Sequence, residues 1–475
     1  MMKYTTLAIA LGSVALAGCK DTTGTLPLDS PRIESLTGQP LLRSTLQTLA
    51  TGVLAQDRSG VVGTPTYMIL ASIMGRTAIR LDASEPRYVG ETLATNPDPG
   101  SFAGGGGFAG FYTAIRAANS LLNALPGAAD GAFTPAEGNA TKGFIKTIQG
   151  LDYMRLIELR DTVGIPIQDA VDNDVLTAVS CKTPVLNFIG TLLDEANTDL
   201  TAAGAASLPF VLPSGFTTHG RNYSTVANIQ KFNRAVKGKV DVLRAIDRKA
   251  PSAARAADAI TELTFALGGA AAGAVPSSTF SFGPYYHFVI GGSEATPNNV
   301  SDTRLRLNTL VKTGLEVGDT RGSKIISAGT IAAGSQGLLN STNITCAFCG
   351  ANTSNQERPL GILRDEELVL LRAQAYIETG NFVAATADIN SVRTVYGLAP
   401  YATFATKAAA IAAVVYEKRY SLLMEGPQTW VDLREYGLLT SMRKETATDP
   451  YNAAFPISRP ELNARQLTVN PACTP

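Results

Sequence analysis

Residues 364–397 read RDEELVLLRAQAYIETGNFVAATADINSVRTVYG. Two apolar-periodic runs flank a short break at Gly380-Asn381. Leu368, Leu371, Ala375 and Ile377 form one side of the first run, and Phe382, Ala385, Ile389 and Val392 one side of the second, at α-helical spacing. Ala373 and Ala385 are small where the two helices of a hairpin come closest. A single hairpin cannot bury its apolar face alone, so further helices must stack on it. The stretch predicts a helical scaffold and assigns it no chemistry.

The step from Tyr376 to Gly380 and on to Ala385 is part of the tetratricopeptide pattern, with Val369 at the usual Trp and Gly397 at the usual Pro. The chain has 475 residues, 45% of them hydrophobic and 17% charged, which is globular material. Lys+Arg and Asp+Glu both number 40, so there is no basic footprint for nucleic acid. Its two histidines, His219 and His287, are too few for a metal site built from several imidazoles and argue against a histidine-based catalytic centre. The expectation is no catalytic residue, no metal and no cofactor.

Residues 1–18 carry Lys3 and then an apolar run from Leu7 to Leu16, too short to span a bilayer, which takes about 20 apolar residues. They read as a secretory signal peptide. Leu16-Ala17-Gly18-Cys19 resembles the bacterial lipobox, which makes Cys19 the expected lipidation site, carrying palmitate-type acyl chains. Residues 19–39, rich in Thr, Gly, Pro and Ser, read as a lipid-anchored tether.

Amphipathic helices are expected over Pro40–Leu54, Tyr67–Ile79, Phe108–Leu125, Phe144–Asp161, from Pro184 with Thr183 as cap, Ser224–Lys249 and Ala253–Leu267. Together with the central hairpin this makes at least nine helices, many in pairs. The run Gly104–Gly107 reads as a hinge, since no strand precedes it and no Gly-Lys-Ser/Thr follows. The organisation is then an N-terminal helical region over 40–267, a loop-rich region over 268–362, and a C-terminal helical region over 363–475. Ser278–Ile290 alternates enough for a strand or extended loop. Long irregular insertions on a scaffold usually carry binding, so 268–362 is expected to line any ligand surface.

Cys346-Ala347-Phe348-Cys349 has three readings: a zinc half-site, a redox pair or a local disulfide. The following Gly350-Ala351-Asn352 supplies no helix N-terminus for a reactive thiol, and the disulfide is the reading retained. A second bridge between Cys181 and Cys473 is allowed on counting alone. Asp172-Asn173-Asp174 lacks the Gly and distal Glu of a calcium loop and reads as a solvated loop. In the C-terminal region, Gly426-Pro427 breaks a helix, and Glu417 and Arg434 are placed to pair across the break.

Three segments together resemble the SusD/RagB family of nutrient-binding outer-membrane lipoproteins: LLRAQAYIETGNFVAATADINSVRTVYGL (370–398), YEKRYSLLMEGPQTWVDLREYGLL (416–439) and FPISRPEL (455–462). FYTAIRAANSLLNAL (111–125) and IQGLDYMRLIELRDTVGIPI (148–167) agree more loosely. The resemblance implies a mainly all-α fold, with tetratricopeptide-like hairpins stacked into one body and a loop-rich, partly extended ligand face. It also implies a SusC-like TonB-dependent outer-membrane barrel as partner and an oligosaccharide, or in some members a peptide, as ligand. The protein would sit at the outer membrane, facing the cell surface. Trp430 belongs to the structural motif, which leaves Tyr285, Tyr286, Phe348 and Tyr88 as candidates to stack on a ligand. The charged residues around Trp430 read as a lock on the fold. Two other function classes remain: a glycoside hydrolase, which needs two carboxylates facing across a cleft, and a tetratricopeptide scaffold for protein partners.

Overall fold

A computed structural model describes residues 40–469 and Cys473, apart from 64–65, 83, 103, 105–106, 169–174, 293–296, 328–344 and 351–352. Residues 1–39, Cys19 among them, and the Asp172–Asp174 run therefore lie outside the described residues.

The long helices follow the apolar periodicity. They are α1 (Arg43–Val62), α2 (Tyr67–Met74), α3 (Ala109–Ala124), α4 (Pro135–Arg160), α5 (Lys182–Ala203), α6 (Val226–Ala245), α7 (Ala253–Ala266), α8 (Asp365–Glu378), α9 (Phe382–Arg393), α10 (Lys407–Ser421) and α11 (Gln428–Glu435). They pack as antiparallel neighbours: α1 on α3, α4 on α5, α6 on α7, α8 on α9. Contacts of α5 with α6, α7 with α8 and α8 with α10 join one pair to the next. The body is mainly α-helical, built from tetratricopeptide-like hairpins as the central stretch predicts. Among the described residues no helix is long and apolar enough to cross a membrane.

Small residues set how closely the hairpins close. A Cβ on Gly143 of α4 would lie 2.4 Å from Leu200 of α5, and one on Gly238 of α6 would lie 2.6 Å from Leu263 of α7. The leucine of one helix thus fills the notch left by a glycine on its partner, which lets the backbones approach. Ala373 and Ala385 are both fully buried.

Several boundaries differ from the sequence reading. The fourth helix starts at Pro135 rather than Phe144, because Thr134 and Glu137 form a capping box: the Glu137 N–H donates to Thr134 Oγ1 at 3.1 Å. The fifth starts at Lys182 with Cys181 as its N-cap, so Thr183 is not the cap and Pro184 falls within the first turn. The second stops at Met74. Gly75 there lets the chain pass against Trp430, whose Cβ a side chain at this position would meet at 2.8 Å. The chain then enters β1 (Ala78–Arg80), which pairs antiparallel with β5 (Leu305–Leu307). Further two-stranded antiparallel pairs are β2 (Ile165–Pro166) with β3 (Val179–Ser180), β4 (Tyr285–Tyr286) with β8 (Leu360–Gly361), and β6 (Ile325–Ser327) with β7 (Thr345–Ala347). Of Ser278–Ile290 only Tyr285 and Tyr286 are strand, since Pro284 and the turn at Ser277–Thr279 break the rest.

Buried charge clasps the C-terminal hairpins. Arg372 of α8 and Asp388 of α9 meet at 2.8 Å, both fully buried. Lys418 of α10 reaches Asp432 of α11 at 2.7 Å, and Gln374 of α8 donates to the same carboxylate at 3.0 Å. Trp430 sits 1% exposed, donating through Nε1 to the Asn452 carbonyl at 2.9 Å, with Phe455 edge-on and the Arg434 guanidinium 5.2 Å from its ring. Glu417 and Arg434 do not pair. Glu417 is taken by Arg321 at 2.7 Å and Arg393 at 3.0 Å, while Arg434 is held by Glu435 at 2.9 Å.

Candidate functional site

The turn 214–221 and the extended segment 281–292 come together at the surface beside the start of α8. Glycines make the approach possible. A Cβ on Gly215 would fall 1.9 Å from the Tyr285 carbonyl oxygen, and one on Gly220, whose φ is +73°, would run into the Phe282 ring. The Gly283 N–H donates to the His219 carbonyl at 3.3 Å. Arg221 grips Asp365, the first residue of α8, through two hydrogen bonds of 2.6 and 2.7 Å. A carboxylate there also suits the positive end of the helix dipole, so the turn is tied to the rigid hairpins behind it.

On this frame Tyr285 is half-buried and stacks on His219, with centroids 4.0 Å apart and planes 27° from parallel. His219 Nε2 lies 2.6 Å from His287 Nε2, and His287 Nδ1 lies 2.8 Å from Ser214 Oγ. Burial and the neighbouring His287 push the His219 imidazole below its ordinary range, and burial and the Arg58 cation do the same to His287. Both rings are therefore neutral at neutral pH. Burial pushes the Tyr285 phenol up to about 12, so it stays protonated, and it donates to the Ser281 carbonyl at 2.8 Å. Beyond the histidines the exposed Val289 and Ile290 continue the surface, and the Ile290 N–H donates to Glu357 at 2.8 Å.

Phe348 is linked to this segment through Arg358, whose neighbour Glu357 accepts from Ile290. It is half-buried, with φ +54°, and the exposed Arg358 lies 3.5 Å from its ring centroid. Cys346 and Cys349 are joined by a disulfide, closing the short turn on which Phe348 is carried. Cys181 and Cys473 form a second bridge, from the N-cap of α5 to the chain end.

The four aromatic candidates thus separate into two classes. Tyr285 and Phe348 keep part of a ring face open beside polar and cationic groups. Tyr286 and Tyr88 do not. Tyr286 is 4% exposed and donates to the buried Asp57 at 2.7 Å, and its phenol is raised well above normal by burial. Tyr88 is 2% exposed, edge-on to Phe102 and covered by Arg80 at 4.8 Å. Neither offers a face to a ligand: the pleat that turns Tyr285 outward turns Tyr286 into the core, and Phe102 and Arg80 close over Tyr88. The sequence reading names His219 and His287 only as too few for a catalytic or multi-imidazole centre, and it points to neither Ser214 nor Arg358. The alternation at Tyr285-Tyr286-His287 was the available signal for His287, and none pointed to His219.

Two concavities lie away from this face. One, of about 340 Å3, is lined by Pro86, Val89, Leu93 and Asp449. The other, of about 310 Å3, is lined by Asn119, Gln149 and Phe188 among others, and its amides satisfy one another, with Gln149 donating to Asn119 at 2.6 Å. The looped face differs from both in its chemistry: half-open rings, two imidazoles and the exposed Arg358 guanidinium lie on it.

No known family model matches the chain, and no curated protein sequence does. Solved structures do. A SusD superfamily protein from Bacteroides fragilis matches with a TM-score of 0.66 at 16% identity, covering 92% of this chain and 100% of its own. One from Parabacteroides distasonis matches at 0.66 and 14% identity, covering 90% and 98%. Surface glycan-binding protein A from Bacteroides uniformis matches at 0.61 and 14% identity, covering 90% and 99%. The resemblance carried by the C-terminal motifs extends through most of the chain, and the protein has the fold of the SusD superfamily.

Proposed function

We propose that the protein is a surface-exposed outer-membrane lipoprotein, anchored through Cys19, which binds an oligosaccharide and delivers it to a SusC-like TonB-dependent barrel. The observation that carries this reading is the pair of half-open rings, Tyr285 on His219 and Phe348 under Arg358, held on a rigid helical body. An aromatic face suits the C–H side of a sugar ring, and the imidazoles and guanidinium beside it suit hydroxyls. A neighbour of the same fold is named as a surface glycan-binding protein, which supports the choice of ligand class.

The test is affinity electrophoresis of the mature chain against a panel of soluble glycans, with Tyr285→Ala and Phe348→Ala beside it. Retardation on at least one glycan, lost in both variants, is the expected result. Retention of peptides and no glycan would move the ligand to the peptide class. Recovery from mild detergent without a barrel partner would remove the delivery step.

A further inference from the structure

The only two histidines of the chain, 68 positions apart, meet nitrogen to nitrogen. The contact is built by the backbone rather than by chance rotamers: Gly215 and Gly220 allow the two segments to touch, and the Gly283 N–H binds the His219 carbonyl. Two neutral imidazoles can share one proton across such a gap, so one Nε2 already presents a lone pair to the other. Ser214 Oγ lies on His287 Nδ1 at 2.8 Å, and a Nδ1–H donated to that hydroxyl leaves His287 Nε2 free of hydrogen. An outer-shell partner on the far ring nitrogen is the usual way an imidazole ligand is oriented.

We propose that His219 and His287 form a two-imidazole site for a divalent transition-metal ion of the zinc or copper class. The ion takes both Nε2 atoms, and the proton held between them moves by way of solvent to His219 Nδ1, so that each neutral ring keeps one hydrogen, on its Nδ1. At zinc–nitrogen distances of about 2.0–2.1 Å a tetrahedral ion spreads its two nitrogens to about 3.3 Å, a small opening of the present 2.6 Å gap. Imidazole suits these ions, and the half-buried setting leaves the remaining positions to water or to a ligand on the face. The four described cysteines are in disulfides and offer no competing thiolate. Among the described residues no third His, Cys, Asp or Glu joins the pair, and Arg58 lies close enough to depress His287, so binding is weaker than at a closed structural site. A bound ion would clamp the 214–221 turn to the 281–292 segment.

This inference does not rest on the glycan reading, because the probe is the metal alone. Titration calorimetry of the mature, tag-free chain with Zn2+ or Cu2+ is expected to give one ion per chain. His219→Gln and His287→Gln should each weaken binding at least about 30-fold, and Ser214→Ala about 10-fold, at the lower end for an outer-shell partner. Zn2+ should raise the melting temperature of the native chain and of no histidine variant. Should a glutamine variant misfold, the exposed Ser214→Ala carries the test. No stoichiometric ion, or an affinity indifferent to all three changes, overturns the site and leaves a hydrogen-bonded pair only.

Discussion

The hairpins around Trp430 and the face around Tyr285 use the same residue types to opposite ends. Both combine aromatic rings, guanidiniums and carboxylates. Around Trp430 every one of these groups is covered: its indole N–H is satisfied, Arg434 and Phe455 close on its ring, and Arg372, Asp388 and Glu417 are fully buried. Around Tyr285 the pairs are left half-open, and Ser214, Val289, Ile290 and Arg358 remain exposed. Composition alone cannot separate a lock from a grip. The number of open faces can, and it predicts that changes in the first region cost stability while changes in the second cost binding.

The largest effect should come from Arg372→Ala. It strands Asp388 without a counter-ion in the interior and releases the Ala270 carbonyl, which Arg372 binds at 2.5 Å. Removing one partner of a buried pair costs about 3–5 kcal/mol, readable in urea unfolding midpoints. A loss under about 1 kcal/mol, the range of an exposed pair, would break the comparison at its strong end.

Asp161→Asn sharpens the same contrast through pH. Burial on its own would raise this carboxyl, but Arg434, Lys182 and Arg248 overcome that and hold it far below the usual range. Its folded value is thus depressed relative to about 3.9 in the unfolded chain, so the stability it adds is complete above about pH 5 and drains away as pH falls below that. The variant should be about 3 kcal/mol less stable than the native chain at pH 7. That gap should narrow steadily between pH 5 and pH 2, whereas a gap constant with pH would mean the ion cluster is not the cause.

A smaller effect separates the tight hairpin seams from the open surface. Gly143→Ala places its methyl against Leu200 at 2.4 Å and the Ala196 carbonyl at 2.8 Å, and overpacking of that kind costs about 1–3 kcal/mol. Gly52→Ala meets nothing within 4 Å on α1 and should gain up to about 1 kcal/mol from helix propensity. Responses of opposite sign to the same substitution would locate the seam; two gains would mean the helices can part.

Much of the scaffold was legible because apolar residues recur every three or four positions through α3 to α9, a local signal. The early start of α4 was also written in the chain, as Thr134 and Glu137, but its first turns are small and polar and hide from a periodicity reading. What was not legible depends on distant partners. Arg321 approaches Glu417 from 96 positions away, so the nearer Arg434 looked like the mate. The described strands of 268–362 are two or three residues long and owe their existence to partners such as Arg80 for Leu305. The histidine pair belongs to this class, since nothing near His219 announces His287.

The smallest expected effect on stability, and the sharpest on the comparison, belongs to Phe348→Gly. Phe348 is held at φ +54°, a conformation that costs an L-residue about 1–2 kcal/mol and glycine nothing. Against that relief stands the loss of a half-buried ring; full burial of a phenylalanine is worth about 1.5–3 kcal/mol, so half is about 1. The two nearly cancel, and the melting temperature should stay within a few degrees of the native value while glycan retardation falls. A ring inside the lock has no such compensation: truncating Trp430, 1% exposed, would open a cavity and orphan the Asn452 carbonyl. If Phe348→Gly instead destabilised the fold as a core truncation does, by about 3 kcal/mol or more, then Phe348 would be packing and not presentation, and the grip would shrink to Tyr285 and the histidines.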